Sequence, residues 1–502
     1  MKFSKLTLAI ATALSVSASF SAVAMDLYVD TKTKQIFAEP GPRRVLMGNF
    51  EKVGDTPVKA AAPTSEAAEI KSIKEDLELK QNEIKALEEN VVATRETKAL
   101  NDEKWFNKIS VRGYTQMRYN HTFAGDRAFV GAPAGQREPE LSNPGDKSIK
   151  DNSNFSFRRV RLVFSGDINE YVSLYLQPDF ASDVSGTQQN FVQLRDAYAD
   201  IFFTKNHEYR IRAGQSKVPF GWENLQSSQN RIALDRDDAL NSAVPSERDL
   251  GLFAYYTPTH VQKLWKDLSK KGLKTSGDYG VLGFGAYNGQ GINKVELNDN
   301  LYMVAHSSYP LDLKFLGYPF TGQVVELGVD AISGTFVTTP TSYTSFNIGG
   351  SAKTPAPVDP NGLQEQRVAV HAILFPQHFG LQTEWNWGTG GGLDEATNRI
   401  VEKSINGGYV QAMYKIDNIF STQGTLIPYA RWQTYRGPYK GATNSPVTKV
   451  SEYEVGAEWQ IMKALELTLA YAYMDRTNTN IGSSYLGQAT GDVFRSQLQW
   501  NY

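Results

Sequence analysis

The sequence predicts an all-β protein, a 16-stranded antiparallel transmembrane β-barrel with an N-terminal periplasmic coiled-coil helix. Three observations lead there. The chain opens on an export leader. From residue 108 to the last residue, apolar and polar side chains alternate with period two. Aromatic residues are plentiful (25 Tyr, 25 Phe, 8 Trp), yet no uncharged stretch after the leader is long enough for a membrane helix. A spanning helix needs about 20 apolar residues, whereas a spanning strand needs only about 9–11 and turns every second one to lipid.

The leader comes first. Lys2 and Lys5 precede the apolar run Leu6 to Val16, and Ala22-Val23-Ala24 is a small-x-small cleavage site. Residues 1–24 therefore read as a signal peptide, with the mature chain starting at Met25. The run is too short for a spanning anchor. Its removal takes two lysines and no acid, leaving 50 basic against 54 acidic residues and a formal charge of −4. That balance excludes the basic excess of a nucleic-acid binder. With no cysteine in the chain, disulfides, thiolate metal sites and a lipid-modified cysteine are excluded too.

Residues 25–64 are expected to be a short periplasmic segment and linker. Leu27-Tyr28-Val29 and Gln35-Ile36-Phe37 have β character, Pro40-Gly41-Pro42 is a turn, and 53–64 contains Pro57, three alanines and Pro63. Residues 65–104 change character, with no Gly or Pro between Ser65 and Leu100. Ile70, Leu77, Ile84 and Val91 take heptad position a. Ile73 and Leu87 take position d, which Lys80 and Thr94 interrupt. This predicts a coiled coil of about four heptads with Ser65 as N-cap. A lone amphipathic helix on the barrel is the alternative; the narrow stripe and charged flanks favour the oligomer.

Residues 105–502 form the predicted barrel domain. Strands are placed at 109–119, 155–166, 171–180, 191–202, 208–216, 249–257, 278–288, 301–309, 322–332, 365–375, 379–388, 404–415, 424–435, 451–460, 464–474 and 493–502. An even number is required if both termini face the periplasm. Connections after even strands include short ones (167–170, 376–378, 461–463), and those after odd strands run long (120–154, 217–248, 333–364, 475–492), the outer-membrane arrangement. Two inner connections, 258–277 and 310–321, exceed that expectation. Trp105, Phe202, Tyr209, Trp459, Trp500 and Tyr502 are expected in an inner aromatic girdle, with Tyr119, Trp387, Tyr435 and Tyr473 in an outer one.

Several stretches resemble the phosphate-selective porin O and P family. They are Val111-Arg-Gly-Tyr-Thr-Gln116, Phe157-Arg-Arg-Val-Arg-Leu162, Leu194-Arg-Asp-Ala-Tyr198, Arg212-Ala-Gly-Gln-Ser-Lys-Val-Pro-Phe-Gly221 and Tyr287-Asn-Gly-Gln-Gly291. The resemblance covers essentially all of 108–502. It implies a homotrimeric pore in the cell outer membrane, with a third extracellular loop, here 217–248, folded into the lumen. In that family, phosphate selectivity uses arginine tracks and lysines at the constriction, and Lys217 matches in kind.

By strict alternation the lumen acquires a basic wall of Arg112, Arg118, Arg159, Arg161, Arg195, Arg210, Arg212 and Arg495. It faces an acidic wall of Glu326, Asp330, Glu384, Glu452, Glu454, Glu458 and Glu466, relieved mainly by Arg431. The third loop between them is mixed: Lys217, Arg231, Arg236 and Arg248 against Glu223, Asp235, Asp237, Asp238, Glu247 and Asp249. Segregated charge on a narrow wall concentrates counter-ions; the plainer reading is that these groups only satisfy one another. The expected partners are small hydrophilic solutes, anions foremost, and outer-membrane lipid. No cofactor, metal or nucleic acid is expected. The six histidines (121, 207, 260, 306, 371, 378) show no H-E-x-x-H or metal spacing, Asp235-Arg-Asp-Asp238 reads as a loop partner for Arg236 before a cation site, and Gly388-Thr-Gly-Gly-Gly392 lacks the following helix of a phosphate loop. The expected function is passive diffusion, with a receptor, adhesin or barrel enzyme acting through its long loops as the alternative.

Overall fold

The computed structural model describes residues 25–32, 35–50, 66–102, 104–123, 141, 148–149, 153–182, 191–344, 352–357, 359–419, 424–478 and 488–502. The expected signal peptide, the Pro57–Pro63 linker and the Ser65 cap lie outside the described residues. The chain divides into two compact units, 1–96 and 97–502. In the first, strands Met25–Asp30, Ile36–Phe37 and Arg44–Phe50 form a small antiparallel sheet with the first strand in the middle. Helix α1 runs Glu66–Asp102, where the sequence lacks both helix breakers. Its seam residues Ile73, Leu77, Ile84, Leu87 and Val91 are all exposed, so the described part of the chain does not bury them.

Sixteen long strands close the second unit into one antiparallel barrel. They are β1 Ser110–Thr122, β2 Asn154–Asn169, β3 Val172–Ser182, β4 Phe191–Phe202, β5 Tyr209–Lys217, β6 Arg248–Tyr256, β7 Leu282–Tyr287, β8 Tyr302–Asp312, β9 Val324–Phe336, β10 Leu363–Leu374, β11 Phe379–Asp394, β12 Arg399–Tyr414, β13 Thr425–Pro438, β14 Val447–Met462, β15 Leu465–Asn478 and β16 Gln488–Asn501. β16 closes on β1, with Trp500 opposite Thr115. Two-residue segments at Ala356–Pro357 and Ile416–Asp417 pair at the rims. All sixteen predicted strands are present; at the outer ends β9, β11, β14, β15 and β16 extend farther than alternation indicates, while at the inner ends β2 runs on to Asn169 and β7 starts only at Leu282. At those outer ends both faces carry polar residues (Lys449, Asp475, Arg476, Asp492), and the period-two signal fades. Among the described residues no helix is long and apolar enough to cross a membrane.

The outward face is apolar: Leu174, Leu176, Leu250, Leu252, Val368, Val370, Tyr453 and Val455 are exposed while their neighbours are largely turned inward. Tyr209 and Tyr502 are exposed at inner strand ends, as a girdle requires, while Trp387 and Tyr473 are exposed partway along β11 and β15, below their lengthened outer ends. Phe202 and Tyr435 correct that expectation. Both fall on the inward register and are buried; Phe202 stacks on His207, and the Tyr435 hydroxyl donates to the Pro438 carbonyl at 2.7 Å.

Strict alternation also breaks at two bulges. Gln116 pairs with Arg159 and Met117 with Phe157, leaving Arg158 as the extra residue; Gln177 pairs with Asp196 and Pro178 with Leu194, leaving Arg195 extra. A bulge sends two consecutive residues to one face. Arg158-Arg159 and Arg195-Asp196 thus all point inward, where strict alternation would push one of each pair into lipid at about 2–4 kcal/mol.

The third outer connection, 218–247, lies inside the barrel. Its apolar residues Val218, Phe220, Ala239, Leu240 and Val244 pack on Phe253, Tyr287, Tyr302, Ile332 and Tyr435 of the wall. The overlong inner connection after β6 has an explanation of its own. Helix α2 (Trp222–Leu225) and helix α3 (Asp238–Asn241) belong to the third loop, and helix α4 (Thr259–Lys270) belongs to that inner connection. Val261, Trp265 and Leu268 of α4 are buried with Trp222, Val324, Ile373 and Phe375, inside the wall and against the loop. The other long inner connection holds a 3-10 turn at Leu313–Leu316.

Candidate functional site

The lumen holds a dense network of charged side chains. On the basic side, Arg118 donates to both oxygens of Asp235 at 3.0 and 3.1 Å, and Arg495 pairs with the same carboxylate. Arg161 pairs with Asp179 at 2.7 Å, and Arg195 approaches that oxygen at 3.5 Å. Arg212 grips both oxygens of Asp200 at 2.7 and 2.8 Å, and Arg210 reaches Asp278 at 3.2 Å. Arg112 sits exposed near the inner end, donating to Ser165 Oγ at 2.8 Å. Arg159 donates to Gln116 Oε1 at 2.7 Å, and its charged neighbours Arg158, Arg231 and Arg161 are all cations.

These contacts correct the picture of a purely basic wall. Asp179, Asp196 and Asp200 are buried among the arginines of β2–β5. Asp179 was legible, sharing its parity with Gln177. Asp196 and Asp200 were not, because the Arg195 bulge reverses the register between them and the outer half of β4.

The third loop ties the walls together. Arg431 holds Glu223 through both terminal nitrogens at 2.7 and 2.9 Å. Arg476, which the sequence placed in an outer loop, pairs with Asp238 at 2.6 Å and with Glu452. Asp237 caps α3 by accepting from Ala239 and Leu240 amides at 3.0 Å. Arg236 pairs with Glu247 at 2.9 Å, and Arg248 grips Asp196 at 3.0 Å. Lys217 does not face a passing solute. Its ammonium is buried against Glu247 at 3.2 Å and donates to the carbonyls of Asn224, Leu225 and Gln226 at 2.9, 3.2 and 2.7 Å. It is a clamp on the loop.

The acidic side is the mount for these elements. Glu384 accepts the Trp222 and Glu223 amides at 2.8 and 2.7 Å, and Asp330 accepts the Gly221 amide at 2.8 Å. Glu326 accepts from Ser308 at 2.7 Å and Trp265 Nε1 at 3.2 Å. Glu454 accepts from the Tyr429 hydroxyl at 2.7 Å, and Glu458 and Glu466 bind Lys274 at 2.9 and 2.8 Å. A polar cavity remains between Asp235 of the loop and Arg431, Gln433, Glu452, Glu454 and Arg495 of the wall.

Loop electrostatics follow from burial and neighbours. Burial alone would raise the Asp235 and Glu247 carboxyls, but the guanidiniums of Arg118 and Arg495 beside one and of Arg236 beside the other hold both well below the usual range. Burial, reinforced by the Glu223 carboxylate, pushes Asp237 up to about 7. Burial draws Arg231 down to about 10, against the pull of Glu247, and its Nε and Nη2 have no hydrogen-bond partner among the described residues. Ser308, His371 and Asp330 line up with Ser308 Oγ 3.0 Å from His371 Nε2 and His371 Nδ1 4.0 Å from Asp330. Asp330 is also held by His306 at 2.5 Å, and the whole group is at most 5% exposed.

A closed sixteen-stranded barrel with an apolar exterior, an inward-folded third loop and a charged lumen defines an outer-membrane porin channel. The match to the phosphate-selective porin O and P family over residues 140–502 makes the assignment, and the chain belongs to that family. Solved structures with a related fold include the outer-membrane channel DcaP of Acinetobacter baumannii (12% identity, TM-score 0.45, 78% of this chain and 97% of that one). OprB of Pseudomonas putida (10%, 0.46, 81% and 96%) and Salmonella typhi OmpF complexed with daunomycin (15%, 0.45, 79% and 98%) are others. No curated protein sequence matches the chain.

Proposed function

We propose that this porin passes small hydrophilic solutes by passive diffusion, with an anion preference that stops short of strict phosphate selectivity. The supporting observation is an imbalance in pairing. The buried guanidiniums of Arg159 and Arg231 have no carboxylate within ion-pair distance among the described residues, while each acidic-wall carboxylate is already hydrogen-bonded. A buried cation without a counter-charge is costly, and a permeating anion would relieve that cost. The same loop contributes Asp235, Asp237 and Asp238, which argues against a lumen tuned to phosphate alone.

The functional unit in this reading is a homotrimer, exported through cleavage of residues 1–24. The exposed seam of α1 joins its neighbours in a three-stranded periplasmic coiled coil. Single-channel recording in planar bilayers tests the reading. Ohmic steps in groups of three, with a reversal potential on the anion side, are expected; a folded protein that passes no current would refute it.

A further inference from the structure

The inner connection between β6 and β7 does more than turn the chain. After α4, residues 273–276 are buried, and the segment is anchored on two opposed parts of the barrel. At one end Asp278 accepts from Arg210 of β5 at 3.2 Å and from Thr257 at 2.7 Å. At the other, Lys274 reaches Glu458 of β14 and Glu466 of β15 at 2.9 and 2.8 Å. The Lys274 carbonyl accepts from Gln226 of the third loop at 3.0 Å, so the segment lies against the loop. Gly272 (φ +74°) and Gly277 (φ +102°) bracket it, each in a backbone region that side chains disfavour. α4 fills the adjoining sector, with Trp265 packed near Trp222 and bonded to Glu326.

We propose that residues 257–281 form a second constriction on the periplasmic side, a strap across the lumen, and that Lys274 with Glu458 and Glu466 sets its charge selectivity. This rests on the diffusion reading above. The strap closes the sector from β5 through β11 toward β15 and leaves the exit to the sector around β16 and β1–β4, where Arg112, Arg195, Tyr175 and Tyr198 are only partly covered. One ammonium masks two carboxylates at its edge. Without Lys274 those carboxylates would present two negative charges to the exit and the strap would lose its distal anchor; without the carboxylates the ammonium would be the free charge.

The full chain, reconstituted in bilayers under a salt gradient, tests this. Lys274→Met should raise conductance roughly twofold, increase open-channel noise and move the reversal potential toward cations. Glu458→Gln with Glu466→Gln should raise conductance similarly but move the potential toward anions. Because the chain has no native cysteine, Lys274→Cys with Glu466→Cys places a single pair of thiols on strap and wall, which a short bis-methanethiosulfonate bridges through two reducible disulfides. The bridged form should conduct quietly at the wild-type level, and reduction should raise conductance reversibly. If wild-type protein conducts but the variants match it in conductance and potential, with the crosslink verified, the strap is overturned while the diffusion reading stands. If wild-type protein passes no current, both fail.

Discussion

Arg431 on β13 and Glu223 in the third loop form a two-pronged ion pair, 2.7 and 2.9 Å, with both side chains almost wholly buried. The pair joins the loop to the wall opposite the arginines of β1–β5, while Asp235 joins it to Arg118 and Arg495. The loop is therefore clamped from two sides. Arg431→Met leaves Glu223 as an uncompensated buried charge and should weaken loop docking by about 3–5 kcal/mol. Hydrogen exchange of the 222–241 amides should accelerate, and Glu223→Met added to Arg431→Met should restore most of the protection. Equal exchange in single and double variants would mean that the pair does not hold the loop.

Asp237 makes the same loop sensitive to pH. Its carboxyl, raised to about 7 by burial and by Glu223, binds a proton more tightly in the docked loop than in an unfolded chain. The stability it contributes is fully present below the ordinary carboxyl range near pH 4 and is lost as pH rises through about 7. Loop protection and quiet conductance should thus decline between about pH 4 and 7. Asp237→Asn keeps a capping side chain and should flatten that decline. A variant with an unchanged pH profile would place the titration elsewhere.

The helix predicts a third outcome. Deleting residues 66–102 should leave a folded barrel whose trimers dissociate at lower temperature on seminative gels, since two trimerising parts of one chain make each association intramolecular for the other. Unchanged heat stability would assign the exposed seam of Ile73, Leu77, Ile84, Leu87 and Val91 to a different partner.

Much of this architecture was legible because lipid imposes period two on every spanning strand, and each of the sixteen strands kept enough of it to be found. What was not legible came from local departures. The bulges at Arg158 and Arg195 add a residue without changing composition; the available clue was two adjacent charges in a membrane strand, which only a bulge can keep out of lipid. Arg476 was hidden where β15 rises into a region polar on both faces. Lys217 was identified by type, but whether it faces solute or the carbonyls of Asn224, Leu225 and Gln226 depends on how the loop folds back. The strap showed only as an inner connection too long for a turn. Its amphipathic helix has Val261, Trp265 and Leu268 at helical spacing, a short helical pattern inside a chain dominated by period-two strands.

In the proposed reading, arginine charge without a carboxylate partner among the described residues gives the pore an anion preference, which the reversal potential of single channels in a salt gradient reads out. Arg159→Ala with Arg231→Ala should move the potential toward cations. Arg159→Lys should largely preserve it, because a diffuse field needs the charge and not the guanidinium shape. Arg161→Ala should shift it farther than Arg159→Ala alone, since it also leaves Asp179 with only the longer contact to Arg195. Glu452→Gln with Glu454→Gln should shift it the other way. Folded channels in which the Arg159/Arg231 variant keeps the wild-type reversal potential would contradict the account.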